Sequence, residues 1–276
     1  MSDGKVISAY LLTTFITGLI PVLIWHNAFV FISFAMIVVI WWSVAAVYGD
    51  KILLWSIRAE PLNVGNYKEL VEIINKSKNG VSMRIPSLWR VGDHSPMVMS
   101  IGLDPKSSHL LLTRGLLERF DDKVQRGLIV RELQSIKSGK TAVNTAGATV
   151  LWFILLPGKL VNLIIGNAPG EPNLVATIVN FFPSILGAIV ANILSDKRTV
   201  YEIDKDAMRM LDNPGYLPYA FKELTEKQAL APFNVELALS PCCVVNQNSS
   251  DPFAGMFKTL PSTPKRIERL LSRLKS

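Results

Sequence analysis

Histidine and cysteine are scarce in this chain of 276 residues: the histidines are His26, His94 and His109, and the cysteines are Cys242 and Cys243. Adjacent cysteines seldom bond to each other and cannot staple a fold, so both are expected as reduced, buried thiols on the cytosolic side. No two histidines stand at metal-ligand spacing, and neither a Gly-x-Ser-x-Gly elbow nor a glycine-rich phosphate loop occurs. The common signatures of serine hydrolases and nucleotide-binding proteins are therefore missing. There is also no arginine-rich run and no interleaving of basic and aromatic residues, so the net charge of +7 does not indicate a nucleic-acid partner.

What the sequence has is apolar length. Hydrophobic residues make up 49% and charged residues 18%, with a mean hydropathy of +0.31. That is too apolar for an ordinary soluble domain and too charged for a pure membrane bundle. Four runs are long enough to cross a hydrocarbon core: residues 7–25, 28–48, 142–165 and 174–194. The first reads as a span and not as a signal peptide, because one lysine precedes it, no small-x-small site follows, and a second apolar run begins at once. The third contains Pro157-Gly158-Lys159 and the fourth Pro183, both tolerable in membrane helices; the alternative is that one of these runs is re-entrant or lies inside the soluble fold. Residues 166–173 hold no Lys or Arg, whereas residues 51–140 and those after 196 hold nearly all of them. The positive-inside tendency then puts both polar segments and both termini in the cytoplasm.

The expected layout is a membrane hairpin in residues 1–48, a first soluble part in 49–141, a second hairpin in 142–195, and a helical second soluble part in 196–276. Within the first soluble part, residues 67–77 have helical periodicity, and 86–98, broken by Pro, Gly and Asp, suit short strands and turns. Residues 108–113 suit a strand, a helix begins at Arg114, and Asp121-Asp122 offers an N-cap for the next helix. That helix carries Arg131-Glu132-Leu133-Gln134-Ser135. In a zinc protease, two histidines at i and i+4 of such a helix bind the metal and the intervening glutamate takes a proton from zinc-bound water. Here arginine and serine stand at the two histidine positions.

The order of parts resembles the HtpX-type membrane zinc metallopeptidases over nearly the whole chain. Residues 48–53 (YGDKIL) are similar to the family's juncture after its second helix. Residues 95–102 (SPMVMSIG) resemble its Ser-Pro-Asn-Ala-Phe-Ala-x-Gly edge strand, and 112–117 (LTRGLL) its Val-Thr-x-Gly-Leu-Leu. Residues 260–267 (LPSTPKRI) resemble its His-Pro-x-x-x-x-Arg-Ile. The resemblance implies an α+β fold, mainly α, with four transmembrane helices and a cytoplasmic zincin-like domain.

Carried over residue by residue, it puts the first two zinc histidines on Arg131 and Ser135. The glutamate ligand falls on Val200 if residues 201–207 match Tyr-Glu-x-Asp-x-x-Ala, or on Glu202 in a register shifted by two. Asp204 takes the place of an aspartate that orients a metal-bound histidine, Leu260 that of an active-site histidine, and Arg266 that of the motif arginine; only the general-base position, Glu132, is kept. Zinc brings the pKa of its water from 15.7 to about 7, which a glutamate alone cannot do, so no metal and no catalytic residue are expected.

Arg131 is expected either to stand in for the missing cation, pairing with Asp204 or Glu132, or to point to solvent. The function implied is an inactive homologue serving as a binding, scaffold or accessory subunit among membrane proteins in the lipid bilayer. An extended peptide could add at Met97, Val98, Met99, Ser100 and Gly102. The alternatives are a divergent zinc metallopeptidase of membrane protein quality control and a regulator of an active paralogue.

Overall fold

The computed structural model describes residues 28–63, 65, 67, 71–72, 74–75, 84–165, 174–230, 236–247 and 251–274. The apolar run at 7–25 and the link at 166–173 lie outside them.

The first described helix, α1 (Ala28–Ser56), spans 29 residues. The sequence suggested an end at residue 48, yet Gly49, Asp50 and Lys51 do not stop it. Leu53 and Leu54 lie beyond them at helical spacing and are buried in the main core, so tertiary packing carries the helix onward where propensity alone would end it. Upstream, Phe29, Ile37, Ile40 and Val47 are exposed. Trp41 stacks against Phe153, ring centres 4.7 Å apart, and against Trp152.

A small sheet follows, formed by β1 (Glu60–Pro61), β2 (Ser87–Val91), β3 (Val98–Ile101) and β4 (His109–Thr113) in the order β1-β2-β4-β3. β2 and β4 run parallel with Ser87 opposite His109; the other pairs are antiparallel, with Val98 opposite Leu112. Thr113 then caps α2 (Arg114–Arg119), accepting the Leu116 N–H. Gly115 of the Thr-Arg-Gly-Leu block is required by packing, since a Cβ there would sit 2.0 Å from the His94 carbonyl oxygen. Asp121 caps α3 (Asp122–Lys137) by accepting the Val124 N–H at 3.0 Å, which stabilises a helix start by about 1 kcal/mol.

The run at 142–165 is two helices, α4 (Lys140–Ile154) and α5 (Leu156–Ile165). Pro157 sits in the first turn of α5, where its missing N–H has no intrahelical partner to lose. Most of α4 is buried, with Ala148 in the core under the sheet and Val150 and Leu151 in a second core shared with α1. α6 (Leu174–Leu194) keeps Pro183 inside it. Among the described residues its stretch Thr177–Leu194 is the one that meets the length and apolarity needed to cross a membrane.

The rest comprises α7 (Lys197–Met210), α8 (Tyr216–Leu230), short 3-10 turns at Leu237–Cys242 and Ala254–Phe257, and α9 (Thr263–Leu274). The architecture is α+β, mostly helical, with one small sheet.

Candidate functional site

The centre of the molecule is a buried set of charges built on α3. On this helix every residue from Gly127 to Ile136 is buried, including Arg131 and Glu132 at 3% and 1% exposure. The Arg131 guanidinium donates through Nη1 to Glu132 Oε1 and through Nε to Asp204 Oδ1 at 3.3 Å. Both of the pairings considered for it are thus present, and the solvent-facing alternative is excluded by its burial. Arg266 of α9, fully buried, grips Asp204 with both prongs, Nε to Oδ2 and Nη2 to Oδ1, each at 2.7 Å. Its remaining nitrogen donates to the Val244 carbonyl at 2.6 Å, and its guanidinium lies 4.1 Å from the centre of the Phe221 ring.

Two guanidinium groups and two carboxylates make this cluster neutral, and bidentate pairing is the strong form of such contacts. Burial lowers the pKa of Arg131, but the charges of Glu132 and Asp204 more than reverse this and hold it above its ordinary value. The arginine therefore stays charged. Glu132 Oε2 accepts the Ser100 hydroxyl at 2.6 Å; Ser100 is 2.8 Å from Thr141 Oγ1, and Thr141 reaches Ser135 Oγ at 3.2 Å. Glu132 thus has partners on both oxygens, and the chain of bonds joins α3, α4, α7, α9 and β3.

The other positions of interest line a different space. Val200 is buried, whereas Glu202 points to solvent and pairs with Lys205 at 3.2 Å. Their separation follows from helix geometry: Val200 and Asp204, four apart, share the inner face of α7, and Glu202 lies off it. The Leu260 backbone is clamped by Asn246, whose Oδ1 accepts the Leu260 N–H at 3.0 Å and whose Nδ2 donates to its carbonyl at 2.9 Å. Val200 and Leu260, with Lys140 and Pro241, border a void of ≈ 10 Å³, about the room of one water.

A catalytic zinc needs three ligands of imidazole, thiolate or carboxylate type and an open position. The residues here do not fit that ion. At the positions the resemblance assigns to ligands stand a guanidinium, a hydroxyl and either the Val200 isopropyl group or, in the shifted register, the solvent-facing Glu202 carboxylate, and the two buried carboxylates already hold arginine. Among the described residues, no group of three His, Cys, Asp or Glu side chains converges elsewhere.

β3 lies at the sheet's end, as the resemblance suggested, but its outer side is covered. The Val244 N–H donates to the Val98 carbonyl at 3.3 Å, and Met99 and Cys243 form an antiparallel bridge. Met97, Val98, Met99 and Ser100 are buried, and the Gly102 N–H is taken by Thr145 Oγ1 at 2.9 Å. A peptide adding to this edge would have to displace the chain's own segment. Cys242 and Cys243 are buried behind it as free thiols, and burial pushes Cys243 up to about 12.

Sequence reading missed Ser100 and Thr141 as partners of the charged cluster. It also missed a second polar group, formed where His109 lies between Ser87 and Asp50. In neither case did a local pattern announce the contact, since the partners lie 22 to 59 residues apart.

Fold and site together define an α+β protein, mostly helical, whose central helix carries a buried cluster of two arginines and two carboxylates. The sequence is 23% identical over 230 residues to a protease HtpX homologue of Desulfatibacillum aliphaticivorans, across 81% of this chain and 74% of that one. It is 25% identical over 232 residues to a homologue from Thermococcus sibiricus, across 81% and 80% of the two chains. With protease HtpX of Legionella pneumophila it shares 22% over 235 residues, across 81% and 82%. The chain is a homologue of the HtpX-type metallopeptidases. No family model matches it. Among solved structures, Ste24p of S. mikatae aligns with a TM-score of 0.43 at 13% identity, over 97% of this chain and 62% of that one.

Proposed function

We propose that this chain is a catalytically inactive HtpX-like membrane protein that serves as a binding, scaffold or accessory subunit of a membrane protein complex. The observation that carries this reading is the position of Arg131: its guanidinium binds Glu132 and Asp204 where the relatives' frame would present metal ligands. A glutamate held by an arginine and a serine is neither metal-bound nor free to take a proton from water.

The proposed layout is two membrane hairpins, 7–25 with 28–48 and 142–165 with 174–194, and a cytoplasmic zincin-like domain assembled from 49–141 and 196–276. The exposed apolar side chains of α1 and of α6, among them Leu174, Ile178, Phe182 and Ile193, support contact with lipid or with another membrane helix. In this layout the third crossing is bent at Leu155.

The test is metal analysis of the full chain purified in detergent, together with cleavage of an unfolded protein substrate. Substoichiometric zinc and no cleavage above that of Glu132→Gln are expected. One zinc per chain that is lost on Glu202→Gln, or cleavage abolished by Glu132→Gln, would overturn the reading in favour of a divergent metallopeptidase. Co-purification from native membranes then distinguishes a scaffold from a regulator of an active paralogue.

A further inference from the structure

Away from the charged cluster, three side chains from distant parts of the chain meet at one end of the sheet. Ser87 opens β2 and His109 opens β4, opposite each other in the parallel pair. Asp50 comes from α1. Ser87 Oγ is 2.5 Å from His109 Nδ1, and His109 Nε2 is 3.3 Å from Asp50 Oδ2. A fourth residue, Trp89, packs against the pair. The indole N–H of Trp89 can only donate, and it lies 3.2 Å from both His109 Nδ1 and Ser87 Oγ, so it is shared between them. The Asp50 carboxylate can only accept, which assigns a ring proton to Nε2 and leaves Nδ1 of that tautomer as an acceptor toward Ser87 and Trp89. The Trp89 ring also meets the imidazole edge to face, 5.8 Å between centres, which fixes its plane.

Burial alone would push the Asp50 carboxyl up, but the hydrogen bond from His109 and the one from the Lys51 N–H leave it below its ordinary value. It is thus ionised at neutral pH. The histidine and aspartate side chains are 18% and 14% exposed, while Ser87 is exposed. An exposed hydroxyl backed by an imidazole, itself oriented by a shielded carboxylate, is the arrangement by which a serine becomes nucleophilic.

We propose that Ser87, His109 and Asp50 form a second reactive site in which Ser87 takes an acyl group from an activated donor, an ester or a thioester. In that step the Ser87 Oγ bonds to the carbonyl carbon and the bond to the leaving alkoxide or thiolate breaks. The hydroxyl proton passes through His109 Nδ1 to the leaving group, and the product is an ester on Ser87. The site shares no residue with the charged cluster and stands or falls independently of the function proposed above.

Reaction of the folded full chain in detergent with a fluorophosphonate probe, read by intact mass and peptide mapping, tests it. The expected result is a single adduct on Ser87, absent in Ser87→Ala, forming faster than in the urea-unfolded chain and slowed about tenfold or more by His109→Gln, in line with loss of a general base. Asp50→Asn, which keeps the shape of the side chain, is expected to slow it too and serves if His109→Gln fails to fold. No adduct on Ser87, a rate no higher than in urea, or a rate unchanged in folded His109→Gln and Asp50→Asn overturns the proposal.

Discussion

Arg131 is the residue on which the core's electrostatics turn. Removing it leaves Glu132 buried and without a cation, while Asp204 keeps Arg266 on both oxygens, and breaking a buried pair on one side costs about 3–5 kcal/mol. Arg131→Met, which keeps an unbranched apolar stem without the charge, is therefore expected to lower the denaturant midpoint strongly, and Arg131→Met with Glu132→Gln to recover part of the loss; an unchanged midpoint in the single variant would sink the idea. This pairing was half legible in the sequence. A helix with caps at Asp121 and apolar residues at 128, 129, 133 and 136 fixed the element, and the protease-like frame drew attention to Arg131 beside Glu132. That both carboxylates would share it was not legible, because Asp204 is 73 residues away and Arg266 another 62. Distances of that kind are set by tertiary packing. The same reason hid Ser100, and it hid the meeting of Ser87 with His109.

At the scale of elements, the segment after the Leu237–Cys242 turn has two tasks: it closes the free edge of β3 through Val244, and its Val244 carbonyl receives Arg266. An open strand edge is a template for pairing with other chains, so this cover replaces an intermolecular hazard with internal bonds. Val244→Pro removes the N–H that bonds to Val98 while leaving the carbonyl for Arg266. The expected outcome is faster hydrogen exchange at the outer amides of β3 and increased binding of extended peptides to that edge; exchange identical to the parent would show that the cover contributes nothing. Strand and helix types here were readable from local pattern, as with the strand His109–Thr113 and the Asp121 cap. Element ends were not. α1 runs on to Ser56 because Leu53 and Leu54 find a core, and the apolar run after residue 140 breaks at Leu155 because Pro157 starts a helix more readily than it continues one.

For the whole molecule, the charge pattern and the packing bear on the same topology. In the proposed layout charge bias places residues 51–140 and those after 196 on one side of the membrane, and the charged cluster agrees with it, since Arg131 lies in the first segment and Asp204 and Arg266 in the second. In that layout an even number of crossings separates them. The native thiols do not interfere with a labelling test: Cys242 and Cys243 are buried and their thiols, pushed up by burial, stay protonated at neutral pH, where the thiolate is the reactive form. Single substitutions Lys106→Cys and Arg209→Cys, at exposed positions of the two polar segments, and Gly170→Cys in the link between the third and fourth runs, then report sidedness with a membrane-impermeant maleimide. In intact spheroplasts Gly170→Cys alone is expected to label, and in inverted vesicles Lys106→Cys and Arg209→Cys. Labelling of Lys106→Cys and Arg209→Cys from opposite sides would contradict the bonded contact between α3 and α7 as well as the topology, because a helix pair joined through Arg131 and Asp204 cannot have a bilayer between its members.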